Sequence, residues 1–366
     1  GGKLPNNTYI YSNRKLLKNM NKTMKLFYKK IGIASLLILC FFGFSGDAKA
    51  LTVSPVRFEV SADAGEEIID SIILYNDTDV TQSLYTSYAN FEARGESGTP
   101  AFLEEKTDLA TWIKTNPNVV IQPGESKIVP FTIKIPSEAE PGGYFATIFF
   151  GTVAPEGSGS QLSIGAKTGV LVLLRVNGEI DEDGGILEFA TVNNQTFFTA
   201  LPVSFTYRFQ NSGSDRVKPD GFVNIENIFG GKAAKLMANP VDGNVLPESV
   251  RRFEVVWNDD GNAVEPLSDK SSFFEKVGFE WKNFAFGKYT ATLNLSFGAT
   301  GGDMDPMSFK FWVFPWHLII FLIIAGIIIF LVLKTTIKKY NRWIVSQAEK
   351  SLARLEAERS LSEKGK

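Results

Sequence analysis

Nineteen consecutive residues without a charge, Pro315 to Leu333, constrain this chain more than any other feature. A helix over that run reaches about 28 Å at 1.5 Å per residue, close to the thickness of a bilayer's hydrocarbon core. Pro315 suits a first helical turn, where no backbone donor is needed. Trp312 and Trp316 mark one end of the run, and Lys334, Lys338, Lys339 and Arg342 crowd the other. Aromatic rings favour the membrane interface and cations the cytoplasmic side. The run therefore predicts a transmembrane helix over 315–333, an exported part before it and a basic cytoplasmic tail over 334–366. In the tail, Ile337, Ile344, Ala348, Leu352 and Leu355 recur at helical spacing with Arg354 and Glu358 one turn apart, which predicts an amphipathic helix. His317, at the outer edge, reads as an interfacial residue with no partner nearby in sequence.

The other end of the chain predicts export. A basic stretch from Met24 to Lys30, an apolar run from Ile31 to Phe44 and the small-x-small pair Ala48 and Ala50 stand in the order of a signal peptide over 24–50, cleaved after Ala50. Residues 1–23 precede Met24, carry no periodicity and read as an upstream extension of the reading frame. Cys40 is the single cysteine and lies inside the apolar run, so the exported part is expected to fold without disulfides.

Charge divides by compartment. Residues 51–333 hold 20 cations against 35 anions, a net charge of −15, which repels nucleic acid and anionic polymers. One Cys and one His remove Cys/His nucleophile pairs, Ser-His-Asp triads and ordinary zinc sites. Glu104 and Glu105 are among many carboxylates that offer only a weak glycosidase reading, with no nucleophile, metal or phosphate motif beside them. The acidic segments Glu179 to Asp183 and Asp259-Asp260-Gly261 lack the alternating ligands of a Ca²⁺ loop and read as solvated turns. Neither an enzyme, a cofactor nor a metal is expected.

Between Leu51 and Phe311 the hydrophobic pattern has period two: Val129, Phe131, Ile133, Ile135; Val203, Phe205, Tyr207, Phe209; Tyr289, Ala291, Leu293, Leu295. Such alternation, broken by Asn, Asp, Gly and Pro turns, predicts half-buried strands in β-sandwiches. Gly169 to Val176 is continuously apolar except for Arg175, as in a strand buried on both faces or lying at a domain junction. Asp108 to Thr115 is the one segment that reads as a short helix. Trp257 and Trp281 read as core anchors.

Three landmarks occur twice in the same order. A strand enters an Asn turn at Asn76 and at Asn211. Pro123-Gly-Glu-Ser leads to Phe131, and Pro247-Glu-Ser leads to Phe253. Gly-Tyr144-Phe-Ala-Thr-Ile parallels Lys-Tyr289-Thr-Ala-Thr-Leu. Asn to Pro to Tyr spans 47 and then 21 residues in the first copy, 36 and then 42 in the second, so insertions differ by loop. The pattern predicts two tandem immunoglobulin-like sandwiches, 51–180 and 181–310. Tyr144 and Tyr289 are then equivalent core residues whose hydroxyls bond backbone upstream.

The export signal, the tandem sandwiches, the single span and the basic tail resemble the WxL-interacting cell-surface proteins of Gram-positive bacteria. The likeness is best in Ser54-Pro55, Asn76, Ile135-Pro136 and Pro141-Gly-Gly-Tyr144-Phe-Ala-Thr-Ile-Phe-Phe-Gly151. The resemblance implies a first domain that binds peptidoglycan and a second that binds an extracellular ligand or a WxL partner. Periplasmic pilus chaperones share the tandem-sandwich look, but they are soluble. The expectation is a membrane-anchored, non-catalytic binding or scaffold module for cell-wall glycan or another surface protein. Its alternative is a chaperone-like protein that takes partner strands by β-augmentation.

Overall fold

The structure, a computed structural model, describes residues 50–152, 166–258, 267–268, 270–298 and 302–363. The extension 1–23, the signal peptide up to residue 49 with Cys40 and Ala48, and the acidic turn Asp259-Asp260-Gly261 lie outside the described residues. Of Leu355 and Glu358 only the helical backbone is described.

The first set of strands is β1 (Leu51–Ser54), β2 (Arg57–Ala62), β3 (Glu67–Asn76), β4 (Gln82–Arg94), β5 (Thr99–Phe102), β6 (Ile113–Thr115), β7 (Asn118–Ile121), β8 (Ser126–Lys134), β9 (Gly142–Gly151) and β10 (Lys167–Val176), with helix α1 (Asp108–Trp112) before β6. The second set is β11 (Gly184–Thr191), β12 (Phe197–Phe198), β13 (Val203–Asn211), β14 (Asp220–Asn227), β15 (Lys232–Met237), β16 (Ser249–Trp257), β17 (Gly287–Phe297), β18 (Gly302–Asp303) and β19 (Met307–Val313), with helix α2 (Phe273–Lys282) before β17. Helix α3 (Trp316–Glu363) follows.

The chain is two immunoglobulin-like β-sandwiches followed by one long helix. One sheet of each sandwich repeats the same order: β2-β10-β9-β4-β5 in the first, β12-β19-β17-β14-β15 in the second. In both, the first-named strand runs parallel to its neighbour and the next pair is antiparallel. Tyr144 and Tyr289 stand on the corresponding strands β9 and β17. β7 pairs with β4 and β18 with β17 in these sheets, and the other strands form the sheets β1-β3-β8-β6 and β11-β13-β16.

Contacts divide the chain into two compact units. The smaller one contains, among the described residues, 50–52, Leu74–Gln82 and Val120–Lys127; the larger contains Val53–Ile73, Ser83–Val119 and Ile128–Lys366. The small unit is organised by Asn76. Its Nδ2 donates to the carbonyls of Val80 at 2.8 Å and Ile121 at 3.1 Å, and its Oδ1 accepts from the Thr78 N–H at 3.0 Å. A fully buried amide is tolerable because it is satisfied on both sides.

In the larger unit, Phe58 meets Phe131 edge-on at 5.0 Å, joining strands of two sheets. Ile133, Ile148, Phe150, Val170, Val172 and Leu174 fill the first core. The second core is more aromatic: Phe205, Tyr207, Phe209, Phe253, Trp257 and Phe311. Burying each large side chain is worth about 1.5–3 kcal/mol, which lets both cores stand without disulfides.

Two expectations about local structure change. The helix predicted over Asp108 to Thr115 stops at Trp112, and Ile113 to Thr115 pair with β8 instead. Sheet pairing and burial of the β-branched Ile113 outweigh weak helical propensity. Trp281 is no core anchor: it is 67% exposed on α2, whereas Trp257 is buried against Tyr289 and Phe311. Helix α2 is a second short helix that the sequence reading missed; its local signal is a capping box, in which Ser272 and Glu275 bond each other's backbone N–H.

Candidate functional site

Strand β10 has two working faces. Val170, Val172, Leu174 and Val176 point into the first core, and the alternate residues Leu171, Leu173 and Arg175 face segments of the second sandwich, all within the larger unit. This accounts for its continuous apolar sequence. Arg175 Nη1 bonds Asp215 at 2.9 Å and Glu182 at 3.0 Å, and the Gly143 N–H donates to the Ser214 carbonyl at 3.0 Å. The acidic turn before β11 is thus tied down by a cation, while its Asp181 and Asp183 carbonyls accept from Ser214, Ser212 and Gly213. Among the described residues no group of three or more His, Cys, Asp or Glu is placed to hold a metal.

Further along the junction, Arg57 pairs with Glu59 and with Asp242, both at 2.8 Å, and Lys218 reaches Asp242 at 2.9 Å. Burial pushes the Glu59 carboxyl up, but the Asn244 hydrogen bond and the cations Arg57, Lys218 and Arg216 outweigh it and hold Glu59 below the ordinary carboxylate range. The Lys218 hydrogen bond does the same for Asp242. Glu96, in the β4–β5 turn, accepts two hydrogen bonds from Arg208 Nε at 3.0 and 3.1 Å, and these bonds hold its carboxyl low.

These contacts frame a cleft of about 160 Å³. Phe91, Leu171, Leu173, Val241, Val245 and Leu246 supply apolar walls. The volume is below the roughly 300–1,000 Å³ of ordinary small-molecule sites and suits a single side chain or chain end. Arg251 is its distinctive group. The guanidinium donates from Nη1 to the Asn244 carbonyl at 2.7 Å and lies 5.1 Å over the Phe253 ring, while its buried Nε has no partner among the described residues. Burial and the nearby Arg57 push its pKa down. Among the described residues no carboxylate pairs with it. The space it occupies exists because residues 98 and 243 are glycines: a Cβ at either would fall 2.4 or 2.6 Å from the guanidinium carbon.

Strand β16, which carries Arg251, ends its sheet. The Arg252 N–H donates outward to the Glu96 carbonyl at 2.8 Å. By the two-residue alternation of an antiparallel strand, the backbone groups of Glu254 and Val256 face the same open edge.

The sequence landmarks fall as follows. Asn211 Nδ2 donates to the carbonyls of Asp215 at 2.8 Å and Val245 at 2.9 Å, and its Oδ1 accepts from the Gly213 N–H, the bonding pattern of Asn76. The Tyr144 hydroxyl donates to the Glu140 carbonyl at 2.9 Å and that of Tyr289 to Phe286 at 3.2 Å. Tyr289 is buried, but Tyr144 is only half-buried, its ring against Trp112 at 4.7 Å; the expectation of two equal core tyrosines is corrected. Ala50 is exposed, and its carbonyl accepts from the Asp77 N–H.

Trp312, on β19, lies 5.8 Å beneath Lys288 Nζ, and Trp316 opens α3. Lys334, Lys338, Lys339 and Arg342 are exposed farther along α3, whose apolar part is long enough to cross a bilayer. His317 does have a partner: its Nδ1 lies 2.6 Å from Glu280 Oε1, and Glu280 Oε2 accepts the Leu318 N–H at 2.8 Å. Sequence reasoning missed Glu280, 37 residues upstream, and Arg251, because nothing local marks either.

No family model and no curated protein matches the chain. Solved structures similar to it include the class 5 fimbriae chaperone CfaA, at 11% identity and a TM-score of 0.34 over 72% of this chain and 99% of that one. The E. coli chaperone DraB gives 11% and 0.29 over 71% and 98%. The Pseudomonas aeruginosa CupB2 chaperone gives 8% and 0.29 over 72% and 100%. Likenesses this remote bear on neither ligand nor partner.

Proposed function

We propose that the chain is a membrane-anchored, non-catalytic module that binds an extended segment of another exported protein at the sandwich junction. The observation that carries this is Arg251: a partly buried cation that among the described residues has no carboxylate partner, beside an amino-acid-sized apolar cleft, on a strand whose edge no described strand covers. A side-chain or terminal carboxylate would complete the guanidinium, and backbone pairing along Glu254 and Val256 would hold the segment by strand addition. The cleft is too small for a glycan strand, which favours a protein partner over the cell wall. The cations from Lys334 to Arg342 support a cytoplasmic tail with the sandwiches outside.

A photo-crosslinking residue placed at Glu254 of the full-length chain in its own cells tests the reading. A discrete polypeptide adduct is expected, weakened by Arg251→Gln and absent when the crosslinker stands at the exposed Ile69. Adducts of glycan alone, or equal adducts at both positions, would overturn it.

A further inference from the structure

The segment between β16 and β17 carries a row of aromatic side chains that are exposed among the described residues. Phe274 is 72% and Trp281 67% exposed, and Phe284 and Phe286 are also exposed. Phe274 and Trp281 are seven residues apart, two helical turns, and so share one face of α2. Gly278 lies between them with open space where a side chain would stand. Val277, at the flank of that face, and Glu280, farther round the helix, are both buried.

What covers the exposed face is indicated by what α2 is fastened to. Glu280, 1% exposed, accepts the Leu318 N–H and meets His317, so its carboxylate caps the start of α3. Phe273 packs on His317 at 5.8 Å, and Phe274 on Phe321 at 6.4 Å. Phe321 is five residues into α3, about 7 Å along its axis, and belongs to the apolar run itself. Phe274 is therefore beside the first turns of the span. Phe286 and Phe197 meet Phe314 just before it, at 5.6 and 6.5 Å, and Trp312 and Trp316 are exposed at the same level of the chain.

We infer that α2 is a second membrane-contacting element: its Phe274/Trp281 face, with Phe284 and Phe286, lies in the outer interface of the bilayer that α3 crosses. The occupant is lipid, because the aromatic face is continuous with the lipid-facing surface of α3. An interfacial helix buries its apolar face about 5–10 Å deep, which agrees with the depth of Phe321 along the span. Aromatic side chains are the ones that favour this layer. The second sandwich then does not swing on a single helix. Two tethers, α3 and α2, hold it against the membrane, with the Glu280 carboxylate locking one to the other.

The inference rests on α3 as a bilayer span, and the test separates the two. Cys40 is the chain's single cysteine, and in full-length chain with Cys40→Ser one new cysteine at 274, 281 or 284 takes a polarity-sensitive fluorophore. Each labelled protein is placed in nanodiscs of phosphatidylcholine and phosphatidylglycerol, with Ile327→Cys as the span control and Ile69→Cys as the solvent control. Blue-shifted emission and quenching by lipid spin-labelled near the headgroup are expected at 274, 281 and 284. At 327, quenching should come from lipid labelled deep in the chain. Solvent-like emission at 274, 281 and 284 with a quenched control at 327 overturns the inference and leaves the span intact. An unquenched control at 327 overturns the span and the inference with it. Three label positions guard against one substitution disturbing α2.

Discussion

Asn211 donates its side-chain amide to the carbonyl of Val245, 34 residues away, and in doing so joins the end of one strand to the residue two places before Pro247. Asn76 makes the same bond to Ile121, two places before Pro123. Two of the three repeated landmarks are thus the halves of one hydrogen-bonded device, present once in each copy. A buried amide that bridges two loops is specific in a way an apolar residue is not, because every one of its groups needs a partner at a set distance.

Replacing Asn211 by Ala strips the Asp215 carbonyl of its side-chain donor in a buried site, while the Val245 carbonyl keeps the Val217 N–H and the Gly213 N–H keeps the Asp183 carbonyl. The expected cost is about 1–3 kcal/mol, the range for one stranded buried group, because the other two groups keep a second partner. Hydrogen exchange of β13 reads it: protection should fall there and stay unchanged in β9. Asn76→Ala should lower protection around 74–82 instead.

The two tyrosines should respond unequally. Tyr289→Ala empties a core position against Trp257 and Phe311 and is expected to cost about 3–5 kcal/mol. Tyr144 is half-buried against Trp112, so Tyr144→Ala should cost about 1–2 kcal/mol. Tyr→Phe at either site removes one hydrogen bond, about 0.5–1.5 kcal/mol. Equal losses in urea melts of the two Ala variants would show that Tyr144 is held as tightly as Tyr289.

Acid should loosen the junction before it melts the cores. The carboxyls of Glu59, Glu96 and Asp242 are held below their ordinary values in the folded state. The unfolded chain binds their protons more readily, so their stabilisation is fully present above the ordinary carboxylate range and is lost as pH falls below about 4 through the depressed native values. Exchange at the Arg252 and Gly143 amides should rise in that window ahead of the amides of β13. Simultaneous loss would mean that junction and core open as one.

Gly243→Ala separates binding from folding. Its new Cβ would stand against the Arg251 guanidinium, the mobile end of a long side chain, so the guanidinium moves and the backbone does not. Stability should change by less than about 1 kcal/mol, the range of substitutions that leave the core intact. Crosslinking from position 254 should nevertheless fall as far as in Arg251→Gln. Gly98→Ala should add a backbone cost of about 1 kcal/mol, because φ is +75° there.

Much was legible in the residues because it depends on short-range periodicity or on an extended run. Alternation at period two marks β13 and β17 whatever lies across the sheet, and an uncharged run from Pro315 to Leu333 is a candidate span by length alone. The repeated Asn, Pro and Tyr landmarks were readable as a duplication, since each recurs in the same order. What the landmarks do to one another was not, for a carbonyl 34 or 45 residues away has no local signature. The same reason hid Glu280 from His317 and Arg251 from Gly98, and left Trp281 looking like a core residue. Composition says that an aromatic or a cation wants burial or a partner; only the folded arrangement of distant segments decides which of them receives one, because the energy of a pair depends on separation in space and not along the chain.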